Sequence, residues 1–174
     1  MSQQRLLILV SGPPAAGKTT LARELAERLS LPLISKDDIK ETLFDTLGCS
    51  ADDLAASRQV GGAAMEVLWR VAARCPVAIL EAPFRPRGEM EHAHLARFAA
   101  RVIEVCCQCP DNELRRRFAV RARTAHPAHV LKELPDEVLA QYGGSMGVGE
   151  VIEVDTSRPV DVAALVARLE CLIG

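Results

Sequence analysis

The residues with the plainest chemistry are Gly12, Gly17, Lys18 and Thr19, spaced as glycine, four residues, then Gly-Lys-Thr within "LLILVSGPPAAGKTTLARELAERL". Glycines let the backbone wrap close to an anion, and the N–H groups that open a helix point at it. In the spacing G-x-x-x-x-G-K-[ST], Lys18 is expected to reach the outer phosphates of a nucleotide and the Thr19 hydroxyl to ligate Mg²⁺. Pro13, Ala15, Ala16 and Thr20 complete the loop expected to hold the phosphates.

Three other groups of residues could add chemistry to a bound nucleotide. In "LISKDDIKETLFD", residues 33–45, Asp37 and Asp38 are flanked by Lys36 and Lys40, and could be surface charge, a helix cap or a catalytic acid. Glu81 ends the apolar run in "VAILEAPFR" and can help to hold Mg²⁺ through water. "NELRRRFAVRARTAHPAH" places Arg115, Arg116, Arg117, Arg121 and Arg123 close together, with Arg117 and Arg121 on one helix face. Arg115 and Arg116 suit a solvated face. An arginine offered to a phosphoryl-transfer transition state is worth roughly 10³ to 10⁵ in rate, and Arg121 is expected to serve that role. Arg85 and Arg87 in "PFRPRGE" are candidates for an acceptor pocket. His126 and His129 flank Pro127 without further ligands at metal spacing, so a loop or lid role is expected, and His92 and His94 receive none.

These residues must be positioned by alternating elements. Apolar runs at 6–10, 31–34, 77–80, 102–107 and 151–154 read as five strands of a parallel sheet buried on both faces. Helical patterns fall near 18–29, 38–47, 51–73, 89–100, 111–124 and 159–172, the third opening on Ser50 as cap. Residues 125–149 break the alternation, with a short helix expected and the glycines of 143–149 read as a linker.

The chain of 174 residues fits one domain, 1–174, and its 49% apolar and 25% charged residues match globular proteins rather than disordered or membrane ones. No apolar run approaches the roughly 20 residues of a membrane span, and the apolar run at the start is too short for a secretory signal. Of the six cysteines, Cys106, Cys107 and Cys109 fall in "RVIEVCCQCP" and read as core thiols of a buried strand, which fits a reducing cytoplasm. A formal charge of -2 and six aromatic residues argue against wholesale nucleic-acid coating. The single asparagine, Asn112, excludes a guanine-reading N-K-x-D motif, no transporter-type LSGGQ is present, and Glu81 lacks the second acid expected of a motor ATPase.

In order along the chain, "GPPAAGKTTLA", "ISKDDIKETLF", "AILEAPF", "CPDNELRRRFAVRA", "HPAH" and "VIEVDTSRPVD" resemble small P-loop kinases. The similarity covers nearly the whole chain and points to the bacterial predicted-kinase (AAA-like ATP-binding) family, related to the polynucleotide 5′-hydroxyl kinase domain, the zeta-toxin kinases and chloramphenicol phosphotransferase. It implies an α/β, three-layer P-loop NTPase fold with a five-stranded parallel sheet and an arginine-bearing lid over about 115–145. The implied activity is transfer of the γ-phosphate of ATP, with Mg²⁺, to a hydroxyl of a small-molecule acceptor. By the same resemblance Asp37 accepts the hydroxyl proton and Lys40, where the family more often has Arg, contacts substrate. Arg117 and Arg121 stack on adenine and hold phosphates, and "DTSRP", with Thr156 and Arg158, forms the other adenine wall. The family commonly has Asp where Glu81 stands.

Antibiotic, sugar, nucleoside and nucleotide-sugar acceptors all suit this reading, since no motif selects among them. A polynucleotide 5′-hydroxyl acceptor and a slow ATP-hydrolysing switch or adaptor are the alternatives. The two aspartates can then be divided. Asp38-Ile39-Lys40-Glu41 has the form of a capping box, which gives Asp38 a structural role and leaves Asp37 for the chemistry. A register with Ser35 as cap would instead favour Asp38.

Overall fold

The computed structural model describes residues 5–174. Five strands, β1 (Leu6–Ser11), β2 (Leu33–Ser35), β3 (Val77–Glu81), β4 (Arg101–Gln108) and β5 (Glu150–Asp155), form one sheet in the order β2-β3-β1-β4-β5. Every pairing is parallel. The helices are α1 (Lys18–Leu29), α2 (Lys36–Thr46), α3 (Leu54–Ala72), α4 (Glu89–Phe98), α5 (Asp111–Arg121), α6 (Asp136–Leu139) and α7 (Val162–Ile173).

Alternate strand residues feed two cores, as the period of two requires. Ile8, Val10, Ile79, Ile103 and Val105 pack with Leu21 and Leu25 of α1, Leu114 of α5 and Leu169 of α7 on one face. Leu7, Leu9, Ala78 and Leu80 pack with Leu68 and Trp69 of α3 and Leu95 of α4 on the other. Helices therefore cover both sides of the sheet, and its strands are continuous apolar runs for that reason. No helix among the described residues is long and apolar enough to cross a membrane.

Several local expectations need correction. The cap of α3 is Asp53, whose carboxylate accepts from Ala56 N at 2.9 Å, and not Ser50. Helix α2 begins at Lys36 with Ser35 in the cap position, so Asp38 lies in the first turn and the capping box does not form. The glycine segment is not a loose linker. Glu104, wholly buried on β4, accepts from Met146 N at 2.9 Å and from Gly147 N at 3.2 Å, which fastens the segment to the sheet. All six cysteines are free, with Cys106 and Cys107 buried in β4 and Cys109 half-buried just beyond it. Cys106 and Cys109 have C-x-x-C spacing, but Cys109 lies past the end of β4, and no group of three or more His, Cys, Asp or Glu that could hold a metal occurs among the described residues.

Candidate active site

The carboxyl ends of β1, β2 and β3 converge on one cavity of about 850 Å³, lined also by α3, α5 and the segment after α5. In open parallel sheets this edge is where ligands bind. The loop between β1 and α1 forms its floor. Gly12 has φ +129°, and a Cβ there would lie 2.4 Å from the Cys107 carbonyl oxygen, so only glycine lets β4 back the loop this closely. Ala15 (φ 66°) and Gly17 (φ 82°) are also left-handed, turning successive backbone groups into an anion cradle at the start of α1.

Ala15, Gly17, Lys18, Thr19 and Thr20 line the cavity, whereas Ala16 is buried in the core behind it and Pro13 lines a smaller recess. Lys18 Nζ donates to Pro13 O at 2.8 Å, lying across its own loop. Burial pulls its pKa below the usual lysine value, against the neighbouring Glu81 and Asp37 carboxylates.

Glu81, at the end of β3, is almost fully buried. Thr19 donates to its Oε1 at 3.3 Å and Ser35 to its Oε2 at 2.8 Å. Burial pushes its carboxyl pKa up, and Lys18 opposes that. A threonine hydroxyl beside one carboxylate is an oxygen donor set suited to Mg²⁺, which keeps several waters and takes one or two carboxylates plus substrate phosphates. The residues present therefore fit the ion.

The two aspartates part as α2 begins. Asp38 is exposed and pairs with exposed Arg23 at 3.3 Å, a contact of little energetic weight. Asp37 lines the cavity and pairs with Lys36 at 2.9 Å. Burial raises its pKa, but Lys36, His129 and Lys18 together outweigh that and hold the carboxyl down at about 2. The register with Ser35 at the cap is thus the observed one, yet Asp37 rather than Asp38 faces the site. Lys36, on which this charge state depends, carried no role in the sequence reading. Its adjacency to Asp37 was the available signal.

Lys40 also lines the cavity, but its ammonium is largely spent, donating to Ser57 Oγ at 2.8 Å and to the Ala128 carbonyl at 2.7 Å. Burial lowers its pKa to about 8. His129 Nε2 meets Glu41 Oε1 at 2.8 Å and His126 meets Asp45, so histidines lace the segment after α5 to α2.

Of the arginines, Arg117 and Arg121 line the cavity together. Arg117 is held by Glu113 Oε1 at 2.7 Å and donates to the Thr156 carbonyl at 3.0 Å, joining α5 to the loop after β5. Arg121 makes no hydrogen bond or ion pair among the described residues and lies 5.8 Å over the Phe118 ring. Arg115 is not merely solvated. It donates to Leu134 O at 2.5 Å and pairs with Asp136, binding α5 to α6. Thr156 stays beside the loop, its hydroxyl on Gln108 O at 2.9 Å, while Arg158 pairs with Asp155 away from the main cavity. Arg85 lines the cavity and Arg87, exposed, does not.

The sheet order, the anion cradle and the arginine-bearing helix over it define a P-loop kinase fold. A candidate kinase from Chloroflexus aurantiacus superposes with a TM-score of 0.87 at 31% identity, over 97% of this chain and 98% of that one. A sugar kinase from Janibacter sp. (TM-score 0.61, 16% identity, 98% of this chain and 94% of that one) and a shikimate kinase from Bacteroides thetaiotaomicron (0.58, 19%, 97% and 98%) share the fold. In sequence, 37 residues are 62% identical to a tRNA dimethylallyltransferase of Synechococcus sp., spanning 21% of this chain and only 12% of that enzyme. The AAA domain family profile matches residues 7–145. The chain belongs to that family, as a small P-loop kinase.

Proposed function

We propose that the protein transfers the γ-phosphate of ATP to a hydroxyl of a small-molecule acceptor. The observation that carries this reading is that Asp37 and Lys18 line one cavity and each alters the other's charge state. A carboxylate in that position accepts the hydrogen bond of an acceptor hydroxyl and orients it toward the end of the nucleotide that Lys18 holds.

A carboxyl at about 2 is a weak base and an always-ionised one. That suits phosphoryl transfer through a loose transition state, where positioning and charge stabilisation matter more than early proton removal. Lys18 and the unspent guanidinium of Arg121 stabilise the charge on the moving phosphoryl, and Arg117 braces the base-binding side through Thr156. Thr19 and Glu81 would hold Mg²⁺, Glu81 through water. When bound, the ion would supply neutralisation of the phosphate charge.

The test is a screen with γ-labelled ATP across antibiotics, sugars, nucleosides and nucleotide-sugars, with a 5′-hydroxyl oligonucleotide as the nucleic-acid arm. Label on a small-molecule hydroxyl supports the reading. Hydrolysis that no acceptor stimulates favours a switch instead.

A further inference from the structure

Besides the phosphate loop, the cavity is lined by residues with a chemistry of their own. Its wall on α3 presents Arg58, Gly61, Gly62 and Met65, and the loop after β3 presents Arg85 with Glu91 behind it. Glycine in the interior of a helix costs about 1 kcal/mol relative to alanine, so adjacent glycines in the middle of α3 call for a reason. Helix packing does not supply it at Gly62, where an added Cβ would meet nothing within 4 Å. Gly62 is instead exposed and lines the cavity.

Charge among these residues is unbalanced. Arg58 makes no hydrogen bond or ion pair among the described residues, although it lines the cavity. Arg85 gives only its Nε, to Glu91 Oε1 at 2.7 Å, and leaves its terminal nitrogens without a protein acceptor among the described residues. The Glu91 side chain is 4% exposed and its Oε2 has no hydrogen-bond partner. The pair is therefore one-pronged where a guanidinium and a carboxylate would normally close a fork. Glu91 anchors the Arg85 side chain from behind while the prongs that recognise an anion stay unused.

We infer that the acceptor carries, besides its reacting hydroxyl, a carboxylate or phosphate group that Arg58 and Arg85 grip while its body lies against Gly61 and Gly62. This rests on the phosphotransfer reading and narrows its substrate class. Arg58 and Arg85 line the same cavity with unspent N–H groups, and the one carboxylate in contact with either among the described residues, Glu91, takes only the Nε of Arg85, so an anionic group on the acceptor would complete the charge pairing where a neutral one would not.

The test keeps the nucleotide site filled with a non-hydrolysable ATP analogue and titrates glucose, gluconate and glucose 6-phosphate by calorimetry. Gluconate, glucose 6-phosphate or both should bind at least roughly tenfold more tightly than glucose, as charge-assisted forks allow, and which of the two binds identifies the anion. Arg58→Gln should remove most of that preference. Removing Arg85 would strand Glu91, so Arg85→Lys is the second variant, keeping the charge while losing the fork. Equal binding of the three sugars, or a preference untouched in both variants, overturns the inference and leaves phosphotransfer standing. Label transfer confined to neutral acceptors in the wider screen overturns it as well. Failure of ATP to label any acceptor, with the analogue still bound, overturns the parent reading and the inference together.

Discussion

The Ser35 hydroxyl, at the cap position of α2, donates to Glu81 Oε2 at 2.8 Å instead of serving its own helix. The cap is given up to hold a buried carboxylate from another strand. Because α2 then begins at Lys36, Asp37 stands in its first turn facing the cavity and Asp38 faces water.

Asp37→Asn should lower turnover by about 10² to 10⁴, the usual contribution of a positioned acid-base group, while ATP affinity stays near that of the unaltered protein. Asp38→Asn should leave both near normal, losing only an exposed ion pair. Steady-state kinetics with nucleotide titration checks both. Unchanged turnover in Asp37→Asn would remove it from the chemistry.

The charge of Asp37 also enters stability. Its carboxyl is held at about 2 against an ordinary 3.8, so the folded state binds fewer protons than the unfolded one between those values. The stabilisation is complete above about 3.8 and lost as pH falls through about 2. Unfolding measured across that interval should show the unaltered protein losing stability faster than Asp37→Asn.

Lys40 behaves in the opposite pH range. Burial holds it near 8 against 10.5 in the unfolded chain, so the unfolded chain carries more protons between the two and stability gains as pH rises from about 8 to 10.5. Denaturant titrations should show that gain in the unaltered protein relative to Lys40→Met.

Glu81→Gln should raise the melting temperature of the nucleotide-free protein, since burial already disfavours the Glu81 charge. The further rise given by ATP with Mg²⁺ should shrink in the same variant. Thermal melts with and without nucleotide separate the two effects, and an undiminished rise would free Glu81 of any metal role.

Gly62→Ala should stabilise α3 by about 1 kcal/mol, because alanine is the better helix former and its Cβ meets open space. The KM for the acceptor that the screen identifies should increase, with nucleotide affinity unaltered. A stabilised variant with an unchanged KM would show that the acceptor does not reach α3.

What could be read from the residues alone was whatever depends on near neighbours. The strand, loop and helix around Gly12 to Thr19 form one local pattern, and the alternating apolar runs marked all five strands. The start of α2 was misplaced because the rival for the Ser35 hydroxyl lies forty-six residues away, on β3. The glycine run passed for a linker because its anchor, Glu104, sits inside an apolar strand. Lys40 passed for a free substrate contact because its acceptors, Ser57 and Ala128, come from distant segments. Arg58 went unremarked since nothing in a helical pattern tells which turn borders a cavity.

The lacing of the segment after α5 to α2, through Ala128 on Lys40 and His129 on Glu41, has a thermodynamic corollary. The same segment carries lining residues of the cavity and follows directly from the helix that bears Arg121. If one ligand shifts that shared segment, the free energy it spends or releases there is available to the other. Linkage then requires reciprocity: the factor by which an acceptor changes affinity for nucleotide equals the factor by which nucleotide changes affinity for the acceptor.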